Sequence, residues 1–76
     1  MNKTRREDLE IALRRLDTVI QDIEHALDEE QNCLDNIPEN LQDSEKYEKM
    51  ESAVDNLEEA LDDLQNAQNS IEEAMA

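Results

Sequence analysis

The chain has 76 residues, a formal net charge of -15, no glycine, one proline and one aromatic residue, a composition that excludes most strand-rich folds and favours helix. A domain of this size usually needs disulfides, a metal or oligomerisation to bury enough surface. The single cysteine excludes an internal disulfide, and no Cys and His spacing fits a zinc site. The excess of carboxylates disfavours direct binding to nucleic acid, so we expect association with another protein chain.

The first predicted element is a helix over about residues 4–36. Its large apolar residues are separated alternately by four and three positions, which is typical of a coiled-coil seam. The heptad a positions are Leu13, Ile20, Leu27 and Leu34, and the d positions are Leu9, Leu16, Ile23, Glu30 and Ile37. The g positions are small or apolar as well: Ala12, Val19, Ala26 and Cys33.

A turn is predicted over about residues 37–43. Pro38 cannot continue a helix and disfavours the α conformation in the residue before it. Asp43 or Ser44 can accept hydrogen bonds from the free N–H groups that open the next helix. Because the connection is short, we expect the two helices to be antiparallel neighbours.

The second helix is predicted over about residues 44–75 and repeats the same pattern. Its a positions are Tyr47, Val54, Leu61, Gln68 and Met75, and its d positions are Met50, Leu57, Leu64 and Ile71. Its g positions are all alanine: Ala53, Ala60, Ala67 and Ala74.

Three apolar positions per heptad make a stripe wider than the seam of a two-stranded coil. A single hairpin leaves the g positions exposed to solvent, whereas two hairpins stacked face to face bury them. We therefore predict an all-α fold, a long antiparallel hairpin that forms a homodimeric four-helix bundle. The alternative is that a helix from another protein covers the apolar stripe. The predicted interface residues are Ala12, Val19, Ala26, Ala53, Ala60, Ala67 and Ala74.

Residues able to carry chemistry are few. His25 has Asp22 and Glu29 within about one turn, a set too small for a metal site. Cys33 could bridge two subunits or pack as a small apolar side chain. No nucleophile and base pair, phosphate-binding loop or repeated Glu-x-x-His motif is present. We expect no enzymatic activity, no metal and no cofactor.

Two polar residues interrupt the seam, Glu30 at a d position and Gln68 at an a position. Burial of an unpaired charge there would cost several kcal/mol. Three interpretations stay open: these layers are open to water, the two side chains pair across a dimer and fix its register, or they contact another partner.

Acids dominate the second helix, where Asp55, Glu58, Glu59, Asp62 and Asp63 form a predicted acidic face. Like charges four residues apart cost about 0.2–0.5 kcal/mol per pair, and no nearby lysine offsets them. The face either keeps the helix solvated or meets a basic protein. In the second case the chain could imitate nucleic acid and inhibit a DNA-binding protein or a nuclease.

Neither a signal peptide nor an apolar stretch of about 20 residues is found in the sequence. We therefore expect a cytoplasmic protein that does not insert into a membrane.

The turn and the start of the second helix also carry a family resemblance. The segment from Asn36 to Glu51, with the Pro-Glu-Asn-Leu-Gln turn, and the Leu-Glu-Glu-Ala-Leu run at residues 57–61 resemble a family of small acidic helical-hairpin proteins from Gram-positive gut bacteria and their phages and mobile elements. The resemblance covers about half of the chain. It implies a bacterial or phage origin and supplies no catalytic or binding residues.

Overall fold

The computed structural model shows two long helices joined by a short connection. Helix α1 spans Lys3–Asp35 and helix α2 spans Glu45–Met75, with one 3₁₀ turn at Glu39–Leu41 between them. The helices pack along each other as an antiparallel hairpin, a rod of 59 × 15 × 14 Å. The prediction of an all-α helical hairpin is confirmed.

Each helix begins at a polar side chain that caps it. The Asn2 Oδ1 atom accepts a hydrogen bond of 2.8 Å from the Arg5 N–H, and the Ser44 Oγ atom accepts one of 3.2 Å from the Tyr47 N–H. Each bond satisfies an N–H group that has no partner inside the helix. The cap of α2 is thus Ser44 and not Asp43, and the predicted helix ranges differ from the observed bounds by at most one residue.

The connection turns without any residue of positive φ, which explains how it forms without glycine. At the end of α1 the Asn36 side chain donates a hydrogen bond of 2.7 Å to the carbonyl of Asn32. Pro38 is extended, with φ -59° and ψ 146°. Its carbonyl accepts a hydrogen bond of 2.9 Å from the Leu41 N–H, which closes the 3₁₀ turn. The turn lies within the range predicted for it, residues 37–43, but its 3₁₀ conformation was not predicted. A further backbone hydrogen bond, from the Ser44 N–H to the Leu41 carbonyl, leads into α2.

The core is a single line of contacts between the helices. Only Ile20 and Val54 are buried, at 4% and 5% exposure. The other a and d residues of the two helices are half-buried, because each has a partner on one side and water on the other. A hairpin alone therefore removes little apolar surface from water.

Candidate interaction surface

The hairpin has two long sides that differ in chemistry. Since α2 runs opposite to α1, the order of its heptad rows is reversed, and the g rows of both helices fall on one side of the seam. The e rows of both helices fall on the other side. We call the g rows with the flanking c positions the g side, and the e rows with the flanking b positions the e side.

The g side carries an apolar strip of small side chains. Val19 is 45% exposed and is the largest member of the strip. Ala12, Ala53 and Ala60 are half-buried against the seam, whereas Ala26, Cys33, Ala67 and Ala74 are exposed. The structure thus places all seven predicted interface residues on one side of the molecule. From Ala12 to Cys33 the strip runs for about 30 Å along α1.

The g side is also electrically balanced, although the protein as a whole is strongly acidic. Its charged residues are the bases Arg5, Arg15, Lys46 and Lys49 and the acids Asp8, Asp22, Glu29 and Asp63. This balance was missed in the sequence, because its members come from two distant segments. A neutral apolar side can approach a copy of itself without the repulsion that the rest of the surface would impose.

The e side has the opposite character. Its bases are Lys3 and Arg14, and its acids are Glu7, Glu10, Asp17, Glu24, Asp28, Asp35, Glu48, Glu51, Asp55, Glu58, Asp62 and Glu72. On α2 the five acids from Glu48 to Asp62 follow one another at spacings of three and four residues. Their Cβ atoms are about 5–6 Å apart, so they form an unbroken acidic row along one edge of the helix.

The five residues of the predicted acidic face are all exposed, but they do not share one side. Asp55, Glu58 and Asp62 lie on the e side and belong to the acidic row. Glu59 occupies the outer f position, and Asp63 lies on the g side. The earlier members of the row, Glu48 and Glu51, were missed; the three-and-four spacing was the signal that could have found them.

A groove of about 600 Å³ lies beside the turn. Its lining residues are Glu30, Asn32, Cys33, Asn36, Ile37, Lys46 and Met50. Cys33 and Lys46 are both g positions, so the groove opens at the turn end of the g side. Glu30 is half-buried, as is Gln68 near the other end, and no buried side-chain N or O atom of the chain lacks a hydrogen-bond partner. Within the hairpin both side chains keep contact with water, and their pairing across a dimer or contact with another partner stays a prediction.

The remaining polar side chains make local contacts. The His25 Nε2 atom lies 3.0 Å from the Glu29 Oε1 atom, with both side chains well exposed. The ion pairs of Lys3 with Glu7 and of Lys49 with Glu45 are also confined to one helix turn. No group of three or more His, Cys, Asp or Glu residues is arranged to hold a metal ion, and neither helix has an apolar stretch long enough to cross a bilayer.

No family model, curated protein or solved structure matches this chain. The resemblance to small acidic hairpin proteins stays a prediction that depends on the turn residues.

Proposed function

We propose that this chain is a non-enzymatic interaction module, an acidic helical hairpin that dimerises through its g side. The observation that carries the proposal is the incomplete burial of the hairpin: two residues of 76 are buried, while a continuous apolar strip stays on the surface. Burying apolar surface stabilises a protein by about 25 cal/mol per Å². A second copy supplies that burial along the full length of the strip.

The charge distribution supports the same side of the molecule. A copy that approached through the e side would bring two sets of unpaired carboxylates together, whereas the g side carries equal numbers of bases and acids. Small side chains also allow the helices of a bundle to approach closely. The product would be a four-helix bundle with the acidic rows facing water.

Sedimentation equilibrium at micromolar concentration tests this proposal. We expect a mass of twice 8.8 kDa, with a helical circular dichroism spectrum. A fully helical monomer across the range from 1 to about 300 µM would refute the dimer. That result would leave a helix from another protein as the occupant of the g side.

A second candidate function is an acidic mimic of nucleic acid, which would inhibit a DNA-binding protein or a nuclease of a bacterium, phage or mobile element. The unbroken row from Glu48 to Asp62 favours it, because a regular line of carboxylates resembles the charge pattern of a phosphate backbone. This function uses the e side and is compatible with a dimer formed through the g side. It would also suit a cytoplasmic location, which we retain as part of the proposal.

Affinity capture at low salt and at about 0.5 M salt tests the mimic. A basic partner bound to the e side should be retained at low salt and released at high salt, since screening weakens contacts between exposed charges. The matched variant replaces Asp55, Glu58 and Asp62 by Asn, Gln and Asn and should lose the partner even at low salt. Equal capture by this variant, or a complex that resists salt, would exclude the mimic.

A further inference from the structure

The chemistry of the g side distinguishes between the two ways in which two hairpins can stack on it. A two-fold axis parallel to the rod puts both turns at the same end and sets α1 against α2 of the partner. A two-fold axis across the rod puts the turns at opposite ends and sets α1 against α1 of the partner. All neighbouring helices are antiparallel in both arrangements, so the helix dipoles do not favour either one.

The register of the hairpin fixes which residues meet. Setting the end of α1 at Asp35 level with the start of α2 at Glu45 gives residues at the same height on the two helices numbers that sum to about 80. An axis parallel to the rod keeps these heights. The apolar strip of α1 then meets the strip of the partner's α2, with Val19 against Ala60 of the partner. Ala12 and Ala26 meet the partner's Ala67 and Ala53, so each of these three contacts includes at least one alanine, whereas Cys33 at the end of the strip meets the partner's Lys46.

The charged c positions agree with this arrangement. At the same register Arg15 faces the partner's Asp63, and Glu29 faces the partner's Lys49. Two-fold symmetry repeats each contact, which gives four pairs of opposite charge and no like-charged pair along the edges of the interface. Within one hairpin no ion pair joins the two helices, since the Lys3–Glu7 and Lys49–Glu45 ion pairs and the His25–Glu29 contact each lie within one helix.

An axis across the rod gives a poorer match. When this axis crosses α1 at its middle, Val19 lies against Val19 of the partner. Two valines occupy more space than a valine and an alanine, so they hold the two α1 helices further apart at this point. This axis pairs Arg15 with the partner's Asp22, but it also brings Asp8 close to the partner's Glu29, and these like-charged contacts occur twice.

The acidic e sides do not alter this comparison. In either arrangement they point away from the interface and are separated by the thickness of both hairpins, each 14 Å. That separation exceeds the Debye length of about 8 Å at physiological ionic strength. The contacts on the g side therefore decide the arrangement.

We propose that two copies of this chain stack through their g sides with both turns at the same end of the bundle, so that α1 of each copy packs against α2 of the other. The inference depends on the dimer of the proposed function, and it adds the partner helix and the register.

The single cysteine of the chain provides a direct test. Cys33 is exposed and can carry a nitroxide label in the otherwise unaltered protein, so that electron–electron dipolar spectroscopy reports the distance between the two copies. With the turns together the two labels lie at one height and within about 20 Å, given helix spacings of about 8–10 Å. With the turns apart they lie about 40 Å apart, since Cys33 is 14 residues from the middle of α1 and each residue adds about 1.5 Å.

Each outcome has a separate meaning. A short distance supports the proposed arrangement. A distance near 40 Å overturns it and leaves the dimer intact. A monomeric unlabelled protein in sedimentation overturns both this arrangement and the proposed function.

An exchange of charges gives an independent readout, because a label at Cys33 borders the interface. We expect Arg15→Glu to raise the dissociation constant of the dimer about tenfold. Adding Asp63→Arg should restore the wild-type value, whereas adding Asp22→Arg, which produces the same net charge, should not. Restoration by Asp22→Arg and not by Asp63→Arg would show that the turns lie at opposite ends.

Discussion

Replacing Ala67 by glutamate should break the dimer and leave the hairpin folded. Ala67 lies on the apolar strip but is exposed in the hairpin, so a longer side chain at this position meets no other part of its own chain. The neighbouring residue Asn66 is also exposed and occupies the outer f position. Asn66→Glu therefore makes the matched control, because it adds the same charge to the same turn of α2 outside the proposed interface.

The expected effect on association is large. In the bundle the new carboxylate would lie against the partner's Ala12, one turn from Asp63, which already faces the partner's Arg15, and even partial loss of its hydration costs about 2 kcal/mol. Symmetry places two such groups in each dimer, which weakens association by about 4 kcal/mol and raises the dissociation constant on the order of a thousandfold. The loss of helix propensity is smaller, at a few tenths of a kcal/mol.

Sedimentation equilibrium gives the dissociation constants of the wild-type protein, Ala67→Glu and Asn66→Glu, and circular dichroism gives their helix content. We expect Asn66→Glu to remain close to wild type, and Ala67→Glu to sediment as a largely helical monomer at concentrations where the wild type is dimeric. Equal dissociation constants for the two variants would mean that the interface does not include the g side.

Three further predictions concern the hairpin itself, and all unfolding is measured at one protein concentration because the proposed dimer would add to stability. Ile20→Ala should lower the free energy of unfolding in urea by about 2–3 kcal/mol. Ile11 is exposed, so Ile11→Ala should lower it by less than about 1 kcal/mol, and similar losses for the two variants would contradict the assignment of the core. Ser44→Ala should lower this free energy by about 1 kcal/mol through loss of the cap on α2, whereas Ser52→Ala, beyond the first turn of the helix, should cause no loss. An unchanged Ser44→Ala variant would mean that the cap is not needed. Raising the salt concentration from about 20 mM to 0.5 M should raise the melting temperature, because screening weakens the repulsion among the acids, and a flat response would show that bound cations already neutralise them.

The sequence was sufficient to predict the hairpin because its two determinants are local. Apolar spacing identifies a helical seam wherever it recurs over several heptads, and Pro38 interrupts the helix once, at the middle of the chain. The 3₁₀ conformation of the turn at Glu39–Leu41 was not predicted, because three residues have no periodicity to detect. Asn2 was likewise missed as a cap, since many polar residues near a terminus are compatible with that role.

The candidate surface was only partly visible in the sequence. The alanines of the g rows could be listed from their heptad positions alone. The neutrality of the g side could not be recognised in this way, because residues such as Arg15 and Lys49 share one surface only after the chain has folded back on itself. The biological process has no signal in the sequence, since an interface of small apolar residues carries no chemistry that would identify its partner.

The charges at the open end of the rod oppose the dipoles of the helices that carry them. α1 has no acid in its first turn and begins with Lys3 and Arg5 at its positive end, while α2 has no base in its last turn and ends with Glu72 and Glu73 at its negative end. Each of these ends is destabilised on its own, whereas the turn end is tied by a short loop whose closure costs little entropy. We therefore expect local unfolding to begin at the end of the rod opposite the turn, where amide hydrogen exchange should be faster than at the turn end.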